Sequence, residues 1–570
     1  MGFINPAEPE FDMEEWAEQP HGERIHMMCK AWAMQGFGAP DVIYLIHVVK
    51  IAIYIGGFLA FAATTGGVGG LGDISSWWAE PIVFAKAVLW TMVYESLGFG
   101  CGSGPLTGRY VPPFTAGLAF LRPGTIRLAP FPRLPFTSGN TRTVADVALY
   151  AAFVILTFRA LLSDDLTRGV IAPIIIAMVL LGLRDKTAFL AARSEHYLLA
   201  TFVMLFPHDM IAGQKAIQAG LWFWAATSKV NHHFPSVIAV MTSNNPLIRS
   251  RAIKRKLYVD FPDDLRPSMM ATTIAHLATV AEYMFPLLLV LGSGGWVTTV
   301  AVVAMIAFHS GIFVSFPLGV PLEWNVFFIY SLAALFGSHA DVRLWSIDSP
   351  WLVAVLIVAL VAIPLWGNLR PDQVSFLPAM RYYAGNWATG TWLTRPGLLE
   401  KIEDSIVTPS STPRRQFIKL YGNDDEAFAI QGRAGAFRAM HLHGRALPKL
   451  FDLAIADLAD DPDVVEKGVD AFEFTDGELV AGLALGWNFG DGHLHDEQLI
   501  GVLRERVGFE PGEGRVIFME SQPLGKPTMH WRIIDLADGQ IAEGRFRVAD
   551  LLAVQPWGGD YDIGLAEQDA

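Results

Sequence analysis

Long apolar runs, divided by short polar segments, fill the first two-thirds of the chain. Because about twenty apolar helical residues cross a hydrocarbon core of roughly 30 Å, the pattern predicts about ten membrane spans. The fifth and sixth runs are short and nearly contiguous, which is typical of a broken or re-entrant pair lying beside protein or water. The predicted spans lie near residues 42–63, 82–101, 144–162, 169–183, 196–207, 212–228, 272–292, 296–317, 322–337 and 351–369.

The pattern changes after the last span. Residues 408–413, Thr-Pro-Ser-Ser-Thr-Pro, have the composition of a linker. Helical spacing at 448–458, short β-like runs at 515–520 and 529–535, and Asp-Gly turns at 476–477 and 538–539 predict a mixed domain. We therefore predict an all-α polytopic membrane bundle of about ten helices with a C-terminal soluble α+β domain. Its segments are 1–41 (cytoplasmic N-terminal segment), 42–369 (transmembrane helical domain), 370–412 (interfacial segment and linker) and 413–570 (cytoplasmic α+β domain).

Composition supports the membrane assignment. Hydrophobic residues make up 52% of the chain and charged residues only 17%, against about 25% charged residues in soluble domains. The mean hydropathy is +0.36. Only Cys29 and Cys101 are present, which excludes a disulfide framework and any cysteine-rich metal or cluster site.

Charge predicts the orientation. Basic residues are concentrated in alternate connecting segments, including Arg249–Lys256, and the positive-inside rule then places both termini in the cytoplasm and the protein in the cytoplasmic membrane. The basic cluster is typical of contact with anionic lipid head groups.

The net charge of −14 comes mainly from residues 413–570, which hold 28 acidic and 15 basic residues. That acidic tail disfavours nucleic acid as a partner and is compatible with a protein partner.

The first candidate for chemistry is the end of the sixth span, where Trp224 is followed by Lys229, Asn231 and paired histidines. A lysine at the edge of hydrocarbon loses hydration, and a partly desolvated amine is a usable base. The alternative interpretation is a lysine that snorkels to the cytoplasmic head groups. The adjacent His232 and His233 make a weak metal site, because neighbouring side chains point apart.

Polar residues deeper in the spans are the second set of candidates. Thr279 and Glu282 share one face of the seventh span, which also holds His276, and His309 lies within the eighth. Ionisable groups inside a membrane are functional-site hypotheses, and the alternative is a set of ion pairs that fixes helix packing. We take Lys229, Glu282 and His309 as catalytic candidates, and Trp224, Asn231 and His276 as cofactor-binding candidates.

Two His-x-His units occur in the tail, His441-Leu442-His443 and His493-Leu494-His495. On a strand, each unit would direct both imidazoles to one side and could chelate a transition metal. The spacing leaves open whether the two units meet, and no cysteine supports them.

The central third resembles the vitamin K-dependent γ-carboxylase-like (HTTM) transmembrane superfamily. The residues that carry the resemblance are Trp224-Ala225-Ala226-Thr227-Ser228-Lys229, Phe308-His309 and the aromatic-rich stretch 324–330. It implies a quinone as cofactor, with Lys229 deprotonating the reduced quinone and oxygen then generating a strong base. The stretch 232–235 after the lysine and the tail depart from that pattern, so glutamate carboxylation does not carry over. The whole chain also looks like an uncharacterised actinobacterial membrane-protein family, on residues 104–110, 243–246 and 382–387.

Two classes of function follow. The leading hypothesis is an enzyme that acts on a membrane-dissolved quinone or lipid, with Lys229 and His309 in one pocket in the cytoplasmic half of the bundle. The alternative is a lipid or small-molecule transporter, or a non-catalytic scaffold whose acidic tail recruits a protein partner.

Overall fold

Apolar helices form the first two-thirds of the protein. The computed structural model describes residues 3–100, 115–315, 322–374, 379–381, 384–487, 497–562 and 564. Five helices are long and apolar enough to cross a membrane, and only 17% to 33% of each apolar window is buried against protein. Exposed apolar faces of this kind are suited to lipid. The five are Asp41–Ala63, Val144–Leu161, Met269–Leu291, Gly295–Ser315 and Pro350–Leu369.

The helices up to the end of the membrane region are numbered in chain order. They are α1 (Met13–Glu18), α2 (His21–Gln35), α3 (Asp41–Ala63), α4 (Ile74–Trp77), α5 (Pro81–Ser96), α6 (Thr115–Phe120), α7 (Val144–Leu161), α8 (Arg168–Arg184), α9 (Lys186–Ala191), α10 (Ser194–Val203), α11 (Met210–Ser228), α12 (Phe234–Asn244), α13 (Arg251–Arg255), α14 (Met269–Leu291), α15 (Gly295–Ser315), α16 (Leu322–Ser331), α17 (Pro350–Ile357) and α18 (Ile363–Leu369). A hairpin of β1 (Tyr258–Asp260) and β2 (Asp264–Pro267) joins α13 to α14, and π-helical turns occupy Leu332–Ser338 and Val358–Ala362.

The predicted number of about ten spans is not confirmed. The other predicted spans coincide with helices that are shorter or more deeply buried. Helix α10 has 10 residues and is therefore about 15 Å long, half the thickness of a hydrocarbon core. Of the 16 residues of α5, 14 are buried, so this helix lies at the centre of the bundle. Hydropathy alone does not distinguish a central apolar helix from a lipid-facing one.

The chain after α18 forms an antiparallel sheet of five strands in the order β4-β3-β5-β6-β7. The strands are β3 (Thr389–Thr394), β4 (Glu473–Asp476), β5 (Gly514–Met519), β6 (Thr528–Asp535) and β7 (Gly539–Arg547). The helices around them are α19 (Leu398–Ser405), α20 (Pro413–Tyr421), α21 (Asp424–Met440), α22 (Leu447–Ala454), α23 (Pro462–Lys467), α24 (Gly477–Leu485), α25 (Glu497–Val507) and α26 (Val548–Ala553).

Strands β5 and β6 and helix α22 confirm the local predictions for the tail, but two boundaries differ. Strand β3 lies between β4 and β5, inside the predicted linker 370–412, so the sheet domain begins before residue 413. Only its long-range pairing identifies this strand, and no local pattern marks it. Asp476, predicted in a turn, instead accepts a hydrogen bond from the backbone N–H of Glu478 and caps α24.

Both faces of the sheet are buried. Trp392 and Val516 pack on one face and the neighbouring Leu393 and Ile517 on the other, as the two-residue period of a strand requires. All four side chains are fully buried.

The N-terminal segment packs on the sheet domain. Arg433 of α21 donates hydrogen bonds to the carbonyl oxygens of Gly36 (2.9 Å) and Ala7 (2.7 Å) and to the side chain of Gln35 (2.6 Å). Trp32 of α2 packs against Phe437, with ring centroids 5.4 Å apart. Helix α2 and the sheet domain therefore lie at the same end of the bundle.

Candidate functional site

A buried ion pair joins α11 to α14. Lys229 is the C-cap residue of α11, and its Nζ donates a hydrogen bond to the Glu282 carboxylate. The two residues are 7% and 3% exposed. Glu282 lies on the buried face of α14 together with Thr279, as their spacing predicts. The structure therefore brings together two catalytic candidates separated by 53 positions in sequence.

Aromatic rings surround the ammonium group. The Lys229 Nζ lies 5.5 Å from the centroid of the Phe234 ring and 5.9 Å from that of Phe308. Rings at this distance attract a cation through their electron-rich faces. Beside the pair, the Tyr283 hydroxyl donates to the Thr227 hydroxyl at 2.7 Å. The environment of the pair is thus aromatic on one side and hydroxylic on the other.

His309 is fixed by two hydrogen bonds. The Trp222 indole N–H donates to His309 Nε2 at 3.0 Å, and Nδ1 lies 2.9 Å from Asn325 Oδ1. Because an indole N–H can only donate, Nε2 carries the lone pair, and the Nδ1–H donates to Asn325. Both ring nitrogens are occupied in a neutral imidazole. The two bonds hold the imidazole between α11 and α16, and the ring of the adjacent Phe308 lies against Lys229.

Trp224 connects α11 to the last membrane helix. Its indole N–H donates to the carbonyl oxygen of Leu360 at 2.6 Å, within the π-helical turn Val358–Ala362. Pro364, four residues later, has no N–H to offer that carbonyl. The indole N–H provides a donor to that carbonyl, so Trp224 links α11 to the last membrane helix.

Asn231 binds the sheet domain. Its Nδ2 donates to the carbonyl oxygen of Gln522 at 2.8 Å, and Asn386 Nδ2 donates to the same oxygen at 3.2 Å. His233 donates through Nε2 to the carbonyl oxygen of Ala384 at 3.2 Å. The segment that follows Lys229 is therefore hydrogen-bonded to the sheet domain, which covers this end of the bundle.

His276 is not brought to the site. It lies on the exposed face of α14, whereas the residues that face α11 and α12 follow the spacing of Ala275, Thr279 and Glu282. Of the six candidates, Lys229 and Glu282 are in direct contact. His309 and Trp224 form hydrogen bonds to neighbouring helices, and Asn231 forms one to the sheet domain. His276 is separate from all of them.

A second polar cluster in the bundle brings together Glu95, an ionisable residue of the predicted second span, and Arg193 and Glu323, which were not candidates. Arg193 Nε lies 3.4 Å from the Glu95 carboxylate, and both side chains are 1% exposed. A Cβ atom added at Gly100 would lie within 3 Å of carboxylate oxygens of both Glu95 and Glu323, so the two carboxylates converge there. The sequence pattern that could have identified this cluster is a charged residue at the end of an apolar run, which is also the pattern at Lys229.

The histidines at 441 and 443 do not lie on a strand. His441 is the C-cap of α21, and its Nδ1–H donates to the carbonyl oxygen of Phe437 at 2.6 Å, while His443 begins a 3₁₀ turn. Burial lowers the pKa of His441 to about 3 and that of His443 well below its ordinary value. Within the described residues, no group of three or more His, Cys, Asp or Glu side chains could hold a metal ion. His493 and His495 lie outside the described residues, as does the motif at 104–110.

A comparison of the sequence with known protein families finds one matching family model. It is described as a transmembrane protein of unknown function (DUF3556), and it matches residues 1–566. No curated protein and no solved structure matches the chain. The family match agrees with the five apolar helices in identifying a membrane-spanning protein.

Proposed function

This chain belongs to the DUF3556 family of transmembrane proteins, and on that premise we propose that it is an enzyme acting on a membrane-dissolved quinone or lipid. The observation that carries the proposal is the buried Lys229–Glu282 pair at the end of an apolar helix. Buried ion pairs contribute little net stability, because desolvation offsets their attraction. A chemical role accounts for such a pair where a stabilising role does not.

The pair has the composition of a proton-transfer centre. Moving the shared proton from the Lys229 Nζ to the Glu282 carboxylate leaves a neutral amine, the form favoured at low polarity. That amine accepts the proton of an acidic O–H on the substrate, the negative charge stays on the substrate oxygen, and the new ammonium lies beside the Phe234 and Phe308 rings. A reduced quinone offers an O–H of this kind, as the resemblance to the γ-carboxylase-like superfamily implies.

The pair is one residue layer away from the lipid-facing surface. Phe223 and Val230, on either side of Lys229 in sequence, are 51% and 59% exposed. The Phe223 ring packs on Tyr283 with centroids 5.7 Å apart, and Tyr283 follows Glu282 in α14. An amphiphile moving within the bilayer therefore meets the pair along the seam where α11 packs on α14, with Phe223 and Tyr283 as the outer layer.

We also propose about ten spans, with both termini on the cytoplasmic side of the cytoplasmic membrane. The packing of α2 on α21 supports an even number of crossings, since it keeps both ends of the chain at one end of the bundle. The basic connecting segments, including 249–256, support the cytoplasmic assignment of that end.

The test is native mass spectrometry of lipids and quinones that co-purify with the full-length protein. The key variant is Lys229→Met/Glu282→Leu, which removes the charges and keeps the volume. We expect a specific amphiphile on the wild type and its loss from the double variant. Lys86→Met is the matched control, because Lys86 is also buried but donates to the Thr65 hydroxyl at 2.6 Å, elsewhere in the bundle. An unchanged set of bound molecules in the folded double variant would reject the proposal.

A further inference from the structure

The segment between α12 and α14, residues 246–268, is tied at both ends to membrane helices. Just before it, Asn245 Nδ2 donates to the Ser315 hydroxyl at 2.9 Å, at the last residue of α15. At its end, Ser268 caps α14, and its hydroxyl donates to the carbonyl oxygen of Lys256 at 2.6 Å. We call residues 246–268 the interfacial hairpin. Because both ends coincide with ends of apolar helices, the hairpin lies at the level where those helices leave the hydrocarbon.

Large apolar side chains on and beside the hairpin are exposed. Leu247 is 75% exposed, and Met269, which begins α14, is 81% exposed. Ile253 and Val259 are also about half exposed. These positions continue the exposed apolar faces of α14 and α15, where Leu277 and Val303 are 65% and 60% exposed. Exposed apolar side chains therefore occur on the hairpin as well as on the lipid-facing sides of the two helices to which it is tied.

The hairpin is also locally basic in an acidic protein. It holds six Lys or Arg residues and three Asp residues, whereas the chain as a whole has a net charge of −14. One of the six, Lys254, points inward, and its Nζ donates to the carbonyl oxygens of Met34 (3.0 Å) and Ser243 (2.6 Å). That anchor fixes the turn of α13, so four of the remaining five cations are displayed on a fixed backbone, while the fifth, Arg266, pairs with Asp264. The exposed cations are Arg249, Arg251, Arg255 and Lys256.

We propose that the interfacial hairpin binds the phosphate head groups of anionic lipids in the same bilayer, with its exposed apolar side chains at the acyl-chain boundary. Cations beside apolar side chains at this depth match an anionic head group and the start of its chains. A soluble protein partner would not explain why the apolar side chains continue the lipid-facing surface of α14 and α15. The inference is independent of any reaction at Lys229.

The hairpin would also hold the acidic sheet domain at the membrane. The backbone N–H of Leu265 donates to Gln555 Oε1 at 3.0 Å, and Arg266 donates to the carbonyl oxygen of Ala553 at 3.2 Å. An anionic bilayer repels an acidic domain, since like charges repel across a few ångströms of low-salt water. Lipid bound at the hairpin offsets that repulsion through a rigid connection.

The test is a titration of the full-length protein in detergent with phosphatidylglycerol and phosphatidylcholine of matched acyl chains. Bound lipids are counted by native mass spectrometry. We expect phosphatidylglycerol to bind about tenfold better, and added salt to weaken the preference. The variant Arg249→Gln/Arg255→Gln/Lys256→Gln should lose the preference, whereas Arg415→Gln/Lys419→Gln/Lys467→Gln, three exposed cations of the sheet domain, should keep it.

Three results would overturn the inference. They are equal binding of the two lipids to the wild type, an unchanged preference in the hairpin variant, and displacement of phosphatidylglycerol by millimolar inorganic phosphate. The last result would identify a site for free phosphate. Because the substituted side chains are exposed, the hairpin variant is expected to fold, and its thermal unfolding curve checks this.

Discussion

The membrane bundle and the sheet domain relate burial to polarity in opposite ways. Trp296 of α15 is 78% exposed, whereas Trp392 of β3 is fully buried. Conversely, the bundle buries the Lys229–Glu282 pair, whereas nearly all charged side chains on the sheet domain's helices are at least partly exposed. In lipid, an exposed tryptophan needs no explanation and a buried charge does. The polar side chains inside the bundle are therefore the residues for which a function is expected.

The largest expected effect concerns the two tryptophans. Trp392→Ala should destabilise the protein by about 3–5 kcal/mol, because it empties the centre of a packed sheet. Trp296→Ala should have almost no effect on stability in lipid, since Trp296 packs on little protein. Thermal unfolding in lipid nanodiscs measures both. Equal losses would mean that α15 packs against protein on the face described as exposed.

A smaller loss is expected when the buried pair is broken. Lys229→Met leaves the Glu282 carboxylate buried without its partner and should cost about 3 kcal/mol. Lys229→Met/Glu282→Leu should recover most of that loss, because no charge remains buried. A double-mutant cycle in the same unfolding assay checks the recovery. If the double variant is as unstable as the single one, the pair is a packing device and the case for chemistry fails.

The network around His309 should give a smaller effect again. Trp222→Phe keeps the aromatic volume but removes the N–H that donates to His309 Nε2. A buried acceptor without its donor costs about 2 kcal/mol. The same unfolding assay measures this loss, and His309→Gln in the Trp222→Phe background should add little, because the two residues belong to one network. Additive losses would contradict the tautomer assigned to His309.

The smallest expected effect is a change in pH dependence within the sheet domain. The pKa of buried His441 is lowered to about 3, against about 6.5 in an unfolded chain. Between these values the unfolded state binds more protons, so the free energy of unfolding falls as pH falls, by at most about 1.4 kcal/mol per pH unit for one histidine. His441→Asn should reduce that slope between about pH 6 and pH 4. Above about pH 7, where neither the folded nor the unfolded state protonates the imidazole, the substitution should leave the slope unchanged, which is the control.

The sequence predicted the polar residues of the site better than their partners. Lys229 and Glu282 were each recognisable as a charge in an apolar run, but their contact depends on the packing of α11 on α14. The sequence could not identify Trp222 and Asn325 as partners of His309, because tryptophan and asparagine occur in many other structural roles. Pairings across 87 and 16 positions arise from tertiary structure and leave no local pattern.

For the fold, likewise, the sequence predicted the elements with a clear local pattern and missed those that depend on tertiary contacts. Strands β5 and β6 follow from short β-like runs, and α3 and α15 from their hydropathy. Helix α10 and strand β3 could not be assigned, since a buried 10-residue helix and a 6-residue strand obtain their stability from neighbours distant in sequence. The spacing of His441 and His443 predicted a strand, but this prediction was wrong, because the two residues lie at and just after the end of α21.

The most direct test of the central claim is photo-cross-linking with a diazirine-labelled lipid or quinone in native-like membranes, followed by peptide mapping. The account predicts labelling between Phe223 and Val230, at and just beyond the end of α11, and near Tyr283 on α14, with loss of that labelling in Lys229→Met/Glu282→Leu. Labelling that is confined to outer faces such as Val300 and Val303 of α15, and is unaffected by the double variant, would contradict it.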